Sequence, residues 1–224
     1  MPDSVKVQGL LFDVYGTLFD VHSVVQQCEQ AFPGKGIALS QLWRTKQLEY
    51  TWQRSLMQRY EPFHQVTRSA LRVACRALAL EATPALLDQL TGAYLHLKAY
   101  PDTVPALQRL KALPLAVFSN GSLQMLGPLL ASADIEKYMS HVISVDELRV
   151  YKPDPRVYQL GCQRLDLEAR RVALVSSNFW DISGARSFGM QAYWINRTGA
   201  GMDDLGFEPT ATFASLNQLA DALA

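Results

Sequence analysis

Short apolar runs alternate with amphipathic stretches along most of the chain, and this alternation predicts an α/β fold. One run, at residues 7–14, stands alone near the N-terminus and is followed by Gly16, which indicates a buried strand ending in a loop. The other apolar runs lie at 113–119, 141–145, 172–176, 192–195 and 212–213. Helices are predicted near 102–112, 122–132, 155–166, 181–188 and 215–223. Strands that alternate with helices favour a parallel sheet covered on both faces.

The first strand is separated from the others by a long helical stretch. Ser40 is a candidate N-cap for a helix that runs to Leu56, and further amphipathic helices are predicted at about 64–79 and 83–98. The simplest arrangement is a Rossmann-like, doubly wound parallel sheet with an inserted helical cap. Residues 1–17 and 99–224 then form the core, and residues 18–98, called the cap below, are inserted after the first strand.

Composition narrows the class of protein. The 224 residues include 21 Lys and Arg against 21 Asp and Glu, so neither nucleic acid nor an anionic membrane is an expected partner. No apolar stretch reaches the ~18 residues of a membrane-spanning helix, and residues 1–6 lack the pattern of a signal peptide. Cys28, Cys75 and Cys162 are far apart, with neither metal-ligand nor disulfide spacing. A cytoplasmic protein with reduced cysteines is expected.

Polar residues follow several of the predicted strands where those strands end. Because ligands bind at the carboxyl ends of parallel strands, these residues can converge on one crevice beneath the cap. Lys152 can join them from a loop that Pro153 keeps from becoming helix. The residues at the strand ends are Asp13, Ser119, Asn120, Ser176, Ser177 and Asn178, with Asp181 just beyond.

Four motifs occur in order at suitable spacing: DVYGTL (13–18), SNGS (119–122), YKPDPRVY (151–158) and SSNFWD (176–181). Together they resemble the haloacid dehalogenase superfamily, and the resemblance runs the length of the chain. Phosphatases of that superfamily have a second Asp two residues after the nucleophile and an acid four residues before the last Asp of the final motif. This chain has Tyr15 and Ser177 at those positions.

Both departures favour a reaction without a metal, because a divalent cation needs several anionic oxygen ligands. A departing halide also needs no proton, so the missing general acid costs nothing in dehalogenation. The chain therefore most resembles the (S)-2-haloacid dehalogenases. A phosphoryl-transfer enzyme and a catalytically idle binding protein remain the alternatives.

In the (S)-2-haloacid dehalogenases an aspartate displaces halide from the alpha carbon, and water then hydrolyses the resulting ester at its carbonyl. The resemblance implies that Asp13 is this nucleophile and that Thr17 supports it. The expected substrate is a short (S)-2-haloalkanoate, and the products are halide and an (R)-2-hydroxy acid. The family uses no cofactor, and a homodimer is expected.

The resemblance also implies how the catalytic groups are held. Asp181 is expected to position or activate the hydrolytic water, supported by Ser176, Asn178 and Lys152. Tyr158 is expected to support the lysine.

Substrate binding is implied at both ends of the substrate molecule. Ser119 and Lys152 are expected to bind the carboxylate, whereas Arg44 and Asn120 are expected to receive the halide. The expected apolar wall consists of Tyr15, Leu48, Phe63 and Trp180. Helical spacing supports the position of Arg44 independently, because Arg44, Leu48, Trp52 and Leu56 recur every four residues on one helix face.

Overall fold

The computed structural model describes residues 5–224 and contains a six-stranded, fully parallel sheet. Residues 1–4 lie outside the described residues. They belong to the segment 1–6 that lacks a signal-peptide pattern and to the predicted core segment 1–17. The strands of this sheet are β1 (Gly9–Phe12), β4 (Leu115–Ser119), β5 (His141–Ser144), β6 (Val172–Ser176), β7 (Gln191–Ile195) and β8 (Ala211–Phe213). Their spatial order is β5-β4-β1-β6-β7-β8. The predicted Rossmann-like parallel sheet is confirmed.

Strand β1 lies inside the sheet, and all four of its residues, GLLF, are buried. A strand with both faces covered needs a continuous apolar run rather than alternation. The chain winds from β1 outward through β4 to β5, then returns to the other side of β1 with β6. This reversal opens a crevice beyond the carboxyl ends of β1 and β6, where open α/β sheets bind their ligands.

Nine α-helices occur in the described residues. They are α1 (Val25–Ala31), α2 (Gly36–Leu56), α3 (Phe63–Ala77), α4 (Pro84–Gly92), α5 (Thr103–Leu110), α6 (Leu123–Ser132), α7 (Pro155–Leu165), α8 (Phe179–Phe188) and α9 (Leu216–Leu223). Helices α5 and α9 pack on each other, as do α7 and α8. In the cap, α2 packs against both α1 and α3, and α3 packs against α4. In residues 5–224, no helix has the length and apolar character needed to cross a membrane.

A two-stranded antiparallel pair was not predicted. Strand β2 (Phe19–Asp20) pairs with β3 (Lys98–Ala99), so the two ends of the cap lie side by side. Two residues per strand are too few to produce a recognisable alternation in sequence. The boundary predicted at 98/99 falls within β3, and the division into core and cap stays a prediction.

Three predicted helix ends were wrong. Ser40 is not an N-cap, because α2 already begins at Gly36 and Ser40 is buried within it. The helix predicted over 83–98 ends at Gly92, after which a short 3-10 turn leads into β3. Helix α8 begins at Phe179 rather than 181, which places Asp181 in its first turn.

Candidate active site

The site begins with Asp13, the residue immediately after β1. Its carboxylate accepts hydrogen bonds from Thr17 Oγ1 at 3.0 Å and Asn178 Nδ2 at 2.8 Å, both on Oδ2. Thr17 Oγ1 also accepts the backbone N–H of Ser177 at 2.8 Å, so its own proton must point to Asp13. The turn requires Gly16, whose φ of +94° lies in the left-handed region. Asp13 is therefore buried and fixed in orientation.

Lys152 joins the two carboxylates of the site. Its Nζ lies 3.3 Å from Asp13 Oδ1, 2.7 Å from Asp181 Oδ2 and 2.9 Å from the Phe118 carbonyl oxygen. The side chain is fully buried. These three acceptors use all three protons of the ammonium. No proton of the ammonium is therefore free for the predicted contact with a substrate carboxylate. To make that contact, Lys152 would have to release one of these partners.

Asp181 is held by Lys152 and by Tyr158, whose hydroxyl donates to Asp181 Oδ1 at 2.8 Å. Burial raises the pKa of the Asp181 carboxyl above its ordinary value, although the Lys152 ammonium acts in the opposite direction. Burial also raises the pKa of Tyr158 well above its ordinary value, so the phenol stays protonated and remains a donor. Tyr158 thus supports the carboxylate that binds the lysine, rather than the lysine itself.

The prediction that Ser176 and Asn178 hold the Asp181 carboxylate was wrong. Ser176 Oγ accepts the backbone N–H of Asn178, and the Asn178 side chain turns towards Asp13. Asp181 meets only the backbone of Asn178, through its own N–H. Asn178 precedes α8 as its N-cap, whereas Asp181 lies in its first turn, and the two side chains have different partners.

Arg44 reaches the site from α2. Its Nη2 lies 3.4 Å from the Tyr15 carbonyl oxygen and 3.3 Å from Asn178 Oδ1, next to the side chain that binds Asp13. Asn120, predicted to share a halide site with Arg44, uses Oδ1 to accept the backbone N–H of Lys152, and its halide role through Nδ2 stays a prediction. The structure brings Arg44 close to Asp13, through Asn178, and gives Asn120 a contact with the lysine loop.

Ser119 is the last residue of β4 and is fully buried. Its Oγ accepts the backbone N–H of Gly121 at 3.0 Å. Within residues 5–224 no group accepts the Ser119 hydroxyl proton, which leaves it free for a ligand.

The predicted apolar wall includes contacting aromatic rings. Tyr15 and Phe63 have ring centroids 5.4 Å apart, and the rings of Trp52 and Trp180 meet edge to face at 5.7 Å. Leu48, four residues before Trp52 on α2, is half-buried. A groove of about 710 Å³ runs along the junction of cap and core, with Trp52, Lys152 and Trp180 among its lining residues.

The predicted helix face that carries Arg44 is only partly buried. Arg44, Leu48 and Trp52 are half-buried, but Leu56 is 85% exposed at the end of α2. The fully buried face of this helix is the adjacent one, with Leu39, Trp43, Gln47 and Thr51. The face that carries Arg44 therefore lies towards the cleft between cap and core rather than the interior of the cap.

Two polar groups at the site were missed by the sequence reasoning. Gln47 is fully buried and accepts a bond from Arg44; a glutamine three residues after the arginine, on an apolar face, was the available signal. Arg197 binds Asp102 through both terminal nitrogens and donates to the Thr17 carbonyl at 3.2 Å. Nothing in the sequence around Arg197 identifies a partner 95 residues away.

The residues present do not fit a divalent metal ion. Two carboxylates meet at the site, but the Lys152 ammonium binds both. Position 177 supplies only a hydroxyl, and its Oγ is buried without a partner among the described residues. Across residues 5–224, no cluster of three or more His, Cys, Asp or Glu side chains is arranged to hold a metal. A hard dication needs more anionic oxygen than this arrangement offers.

Comparison with known proteins agrees with this geometry. The family model of the haloacid dehalogenase-like hydrolases matches residues 7–189. An aspartate after the first strand of a parallel sheet, paired with a buried lysine, thus belongs to a hydrolase of this class. The chain is also 50% identical over 219 residues to the (S)-2-haloacid dehalogenase H-109 of Pseudomonas putida, covering 97% of this chain and 98% of that protein.

Solved structures give the same result. The crystal structure of the L-2-haloacid dehalogenase RSc1362 superposes with a TM-score of 0.95 at 41% identity, covering 97% of this chain and 99% of that one. A structure of the Xanthobacter autotrophicus L-2-haloacid dehalogenase with chloropropionic acid covalently bound superposes with a TM-score of 0.90 at 36% identity, covering 96% and 97%. The chain belongs to the haloacid dehalogenase-like hydrolases, in the (S)-2-haloacid dehalogenase subfamily.

Proposed function

We propose that this protein hydrolyses short (S)-2-haloalkanoates to (R)-2-hydroxyalkanoates and halide, through an ester on Asp13. The observation that carries the proposal is the Asp13 carboxylate itself, which is buried and held by three donors, Thr17, Asn178 and Lys152. Such fixed orientation is what carboxylate nucleophiles need, because alignment alone supplies effective molarities of about 10⁵ M or more. The covalently bound chloropropionic acid in the Xanthobacter relative supports an ester intermediate here.

In the first step a carboxylate oxygen of Asp13 attacks the alpha carbon while the carbon–halogen bond breaks and halide leaves with the bonding pair. The alpha carbon inverts. Arg44 Nη2 lies 3.3 Å from Asn178 Oδ1, on the side chain that binds Asp13, and would receive the developing negative charge. The free Ser119 hydroxyl would bind the substrate carboxylate.

In the second step water adds to the carbonyl carbon of the ester, and the bond from that carbon to the substrate oxygen breaks. The (R)-2-hydroxy acid leaves, Asp13 is restored, and one proton is released overall. Whichever oxygen of Asp13 forms the ester, the other keeps a donor: Thr17 and Asn178 on Oδ2, or Lys152 on Oδ1. These donors would stabilise the oxyanion as water adds.

Activation of the water by Asp181 stays a proposal. Its raised pKa makes the carboxylate a stronger base than an ordinary aspartate. Both of its oxygens already accept bonds, from Lys152 and Tyr158.

The alternatives have less support. Phosphoryl transfer would need a general acid and a metal site, yet Tyr15 occupies the position of the acid and the carboxylates are bound by an ammonium. An idle binding protein would be expected to have lost a member of the constellation. Asp13, Arg44, Lys152 and Asp181 are all present and connected.

A homodimer in the cytoplasm, acting without cofactor or nucleic-acid partner, is part of the same proposal. Leu56 and Met57 are exposed side by side at the end of α2 and would suit a subunit contact. Cys28, Cys75 and Cys162 are all buried and unpaired, as expected in a reducing compartment.

Halide release from the separate enantiomers of 2-chloropropionate, with a chelator present throughout, tests the proposed function. We expect release from the (S) form only, with (R)-lactate as product, because one displacement inverts the carbon once. An ion-selective electrode measures the halide, and chiral chromatography identifies the lactate. Activity on phosphate esters that requires magnesium, with no halide released from either enantiomer, would favour phosphoryl transfer instead.

A further inference from the structure

Gln47 is a buried side chain of α2 that touches Arg44 and has no part in the chemistry described above. Its Oε1 accepts a hydrogen bond from Arg44 Nη1 at 2.8 Å. Its Nε2 donates to Thr67 Oγ1 on α3 at 2.7 Å. Gln47 and Thr67 are both fully buried, so no water competes for these bonds. A buried amide is retained only where its polar atoms are satisfied, as they are here.

The direction of this hydrogen-bond chain is fixed at its far end. Thr67 Oγ1 donates to the Phe63 carbonyl oxygen at 2.7 Å, and a carbonyl can only accept. The Thr67 oxygen must therefore accept from Gln47, which turns the amide nitrogen to Thr67 and the amide oxygen to Arg44. The amide thus has one orientation, and in that orientation it binds a guanidinium N–H.

The consequence for Arg44 is that its two terminal nitrogens have different tasks. Nη1 is tied to the interior of the cap through Gln47, whereas Nη2 lies towards Tyr15 and Asn178, at distances of 3.4 and 3.3 Å that are weaker contacts. An arginine side chain otherwise has many rotamers, and ordering it is costly. Here the neutral amide fixes the guanidinium without cancelling its charge.

We propose that Gln47 is a positioning residue for halide departure: anchored by Thr67, it holds the Arg44 guanidinium where the leaving halide develops its charge. This inference rests on the proposed function and on the halide role of Arg44. Thr67 extends the positioning chain to α3, where Phe63 contributes to the proposed substrate wall. The fold therefore sets the geometry of the arginine from two helices of the cap rather than from α2 alone.

Single-turnover halide release from (S)-2-chloropropionate and (S)-2-bromopropionate tests the proposal. Gln47→Leu keeps the size of the side chain but removes both bonds, and we expect chloride release to slow by about 10- to 100-fold, since small misplacements of catalytic groups cost this much. Bromide is the better leaving group and needs less help, so the ratio of bromide to chloride rates should rise. The Michaelis constant should change by less than about threefold, because the lost interaction belongs to the transition state.

A double-mutant cycle distinguishes positioning from general structural damage. In the Arg44→Lys background, Gln47→Leu should change the rate by less than about twofold, because the group it positions is gone. Thr67→Val should act in the same direction as Gln47→Leu, and Thr67→Ser, which keeps the hydroxyl, should restore the normal rate and halide ratio. Gln53→Leu places the same substitution at an exposed site of α2 and serves as the matched control.

The outcomes distinguish the halide role of Arg44 from the positioning role of Gln47. If Arg44→Lys leaves the rates and the halide ratio unchanged, the halide role of Arg44 is wrong and the role of Gln47 falls with it. If Arg44→Lys slows chloride release but Gln47→Leu does not, only the positioning role is wrong. Equal slowing by Gln47→Leu with and without Arg44 would also overturn it. Should Gln47→Leu fail to fold, the Thr67→Val and Thr67→Ser pair decides the question.

Discussion

Asp13→Asn is expected to release no halide, not even one equivalent per active site. An amide keeps the shape of the carboxylate but lacks the negative charge and the reactive oxygen, so we expect the rate of displacement to fall about 10⁴-fold or more. The loss should be chemical rather than structural. The buried cluster has two carboxylates and one ammonium, a net charge of −1, which the substitution brings to zero. Rapid-quench measurement of halide with enzyme in excess gives the result.

Asp181→Asn is the matched control for this experiment. It makes the same change of charge in the same cluster, at the other carboxylate bound by Lys152. Because it spares the nucleophile, it should release about one equivalent of halide in a burst and then turn over slowly, since the proposed second step is impaired. Halide release by Asp13→Asn in a single turnover would remove Asp13 from the role of nucleophile.

Lys152→Met is expected to have the second-largest effect, on both stability and activity. The substitution leaves Asp13 and Asp181 facing each other in a buried site without their shared cation. Breaking a buried pair in this way costs about 3–5 kcal/mol of the free energy of unfolding. Halide release should fall by about 10²- to 10³-fold or more, because the nucleophile loses a charged donor.

The stability loss should depend on pH in a defined direction. The Lys152 ammonium lowers the pKa of Asp181, against the effect of burial, so its removal raises that pKa further. A carboxyl with a raised pKa in the folded state favours folding most when it is protonated. Relative to the wild type, the variant should therefore lose stability as pH rises above the already raised Asp181 pKa of the wild type, towards neutrality.

Urea unfolding of Lys152→Met and wild type at about pH 4 and about pH 7 measures this difference. Lys111→Met, at an exposed position outside the cap, is the control for loss of a lysine charge. An equal loss of stability at both pH values would contradict the account of Lys152 as the counter-ion of two buried carboxylates.

The parallel sheet and the ends of its strands could be predicted because their signals are local. The run GLLF followed by Asp13 indicates a buried strand with an acid at its carboxyl end, and winding rules bring the ends of β1, β4 and β6 together. The cap was predicted as helical for the same reason. The β2–β3 pair was missed because its strands are two residues long and lie far apart in sequence.

The partners of individual side chains could not be predicted in the same way. Asn178 and Asp181 are three residues apart, yet Asn178 Nδ2 donates to Asp13, whereas the Asp181 carboxylate accepts from Lys152 and Tyr158. Saturation of the Lys152 ammonium also depends on a backbone carbonyl, that of Phe118, which leaves no signature in sequence. Motif resemblance predicted the residues of the site, but the assignment of donors to acceptors needed the structure.

One experiment tests the central claim, that an oxygen of Asp13 forms an ester with substrate. Enzyme in excess is allowed a single turnover of (S)-2-chloropropionate in H₂¹⁸O, and the product and the peptide containing Asp13 are analysed by mass spectrometry. If water attacks the ester carbonyl, the heavy oxygen enters the Asp13 carboxylate, and the hydroxyl of the first product carries ordinary oxygen from the protein. Heavy oxygen in the product, with none in Asp13, would show direct attack by water on the alpha carbon and would contradict the mechanism.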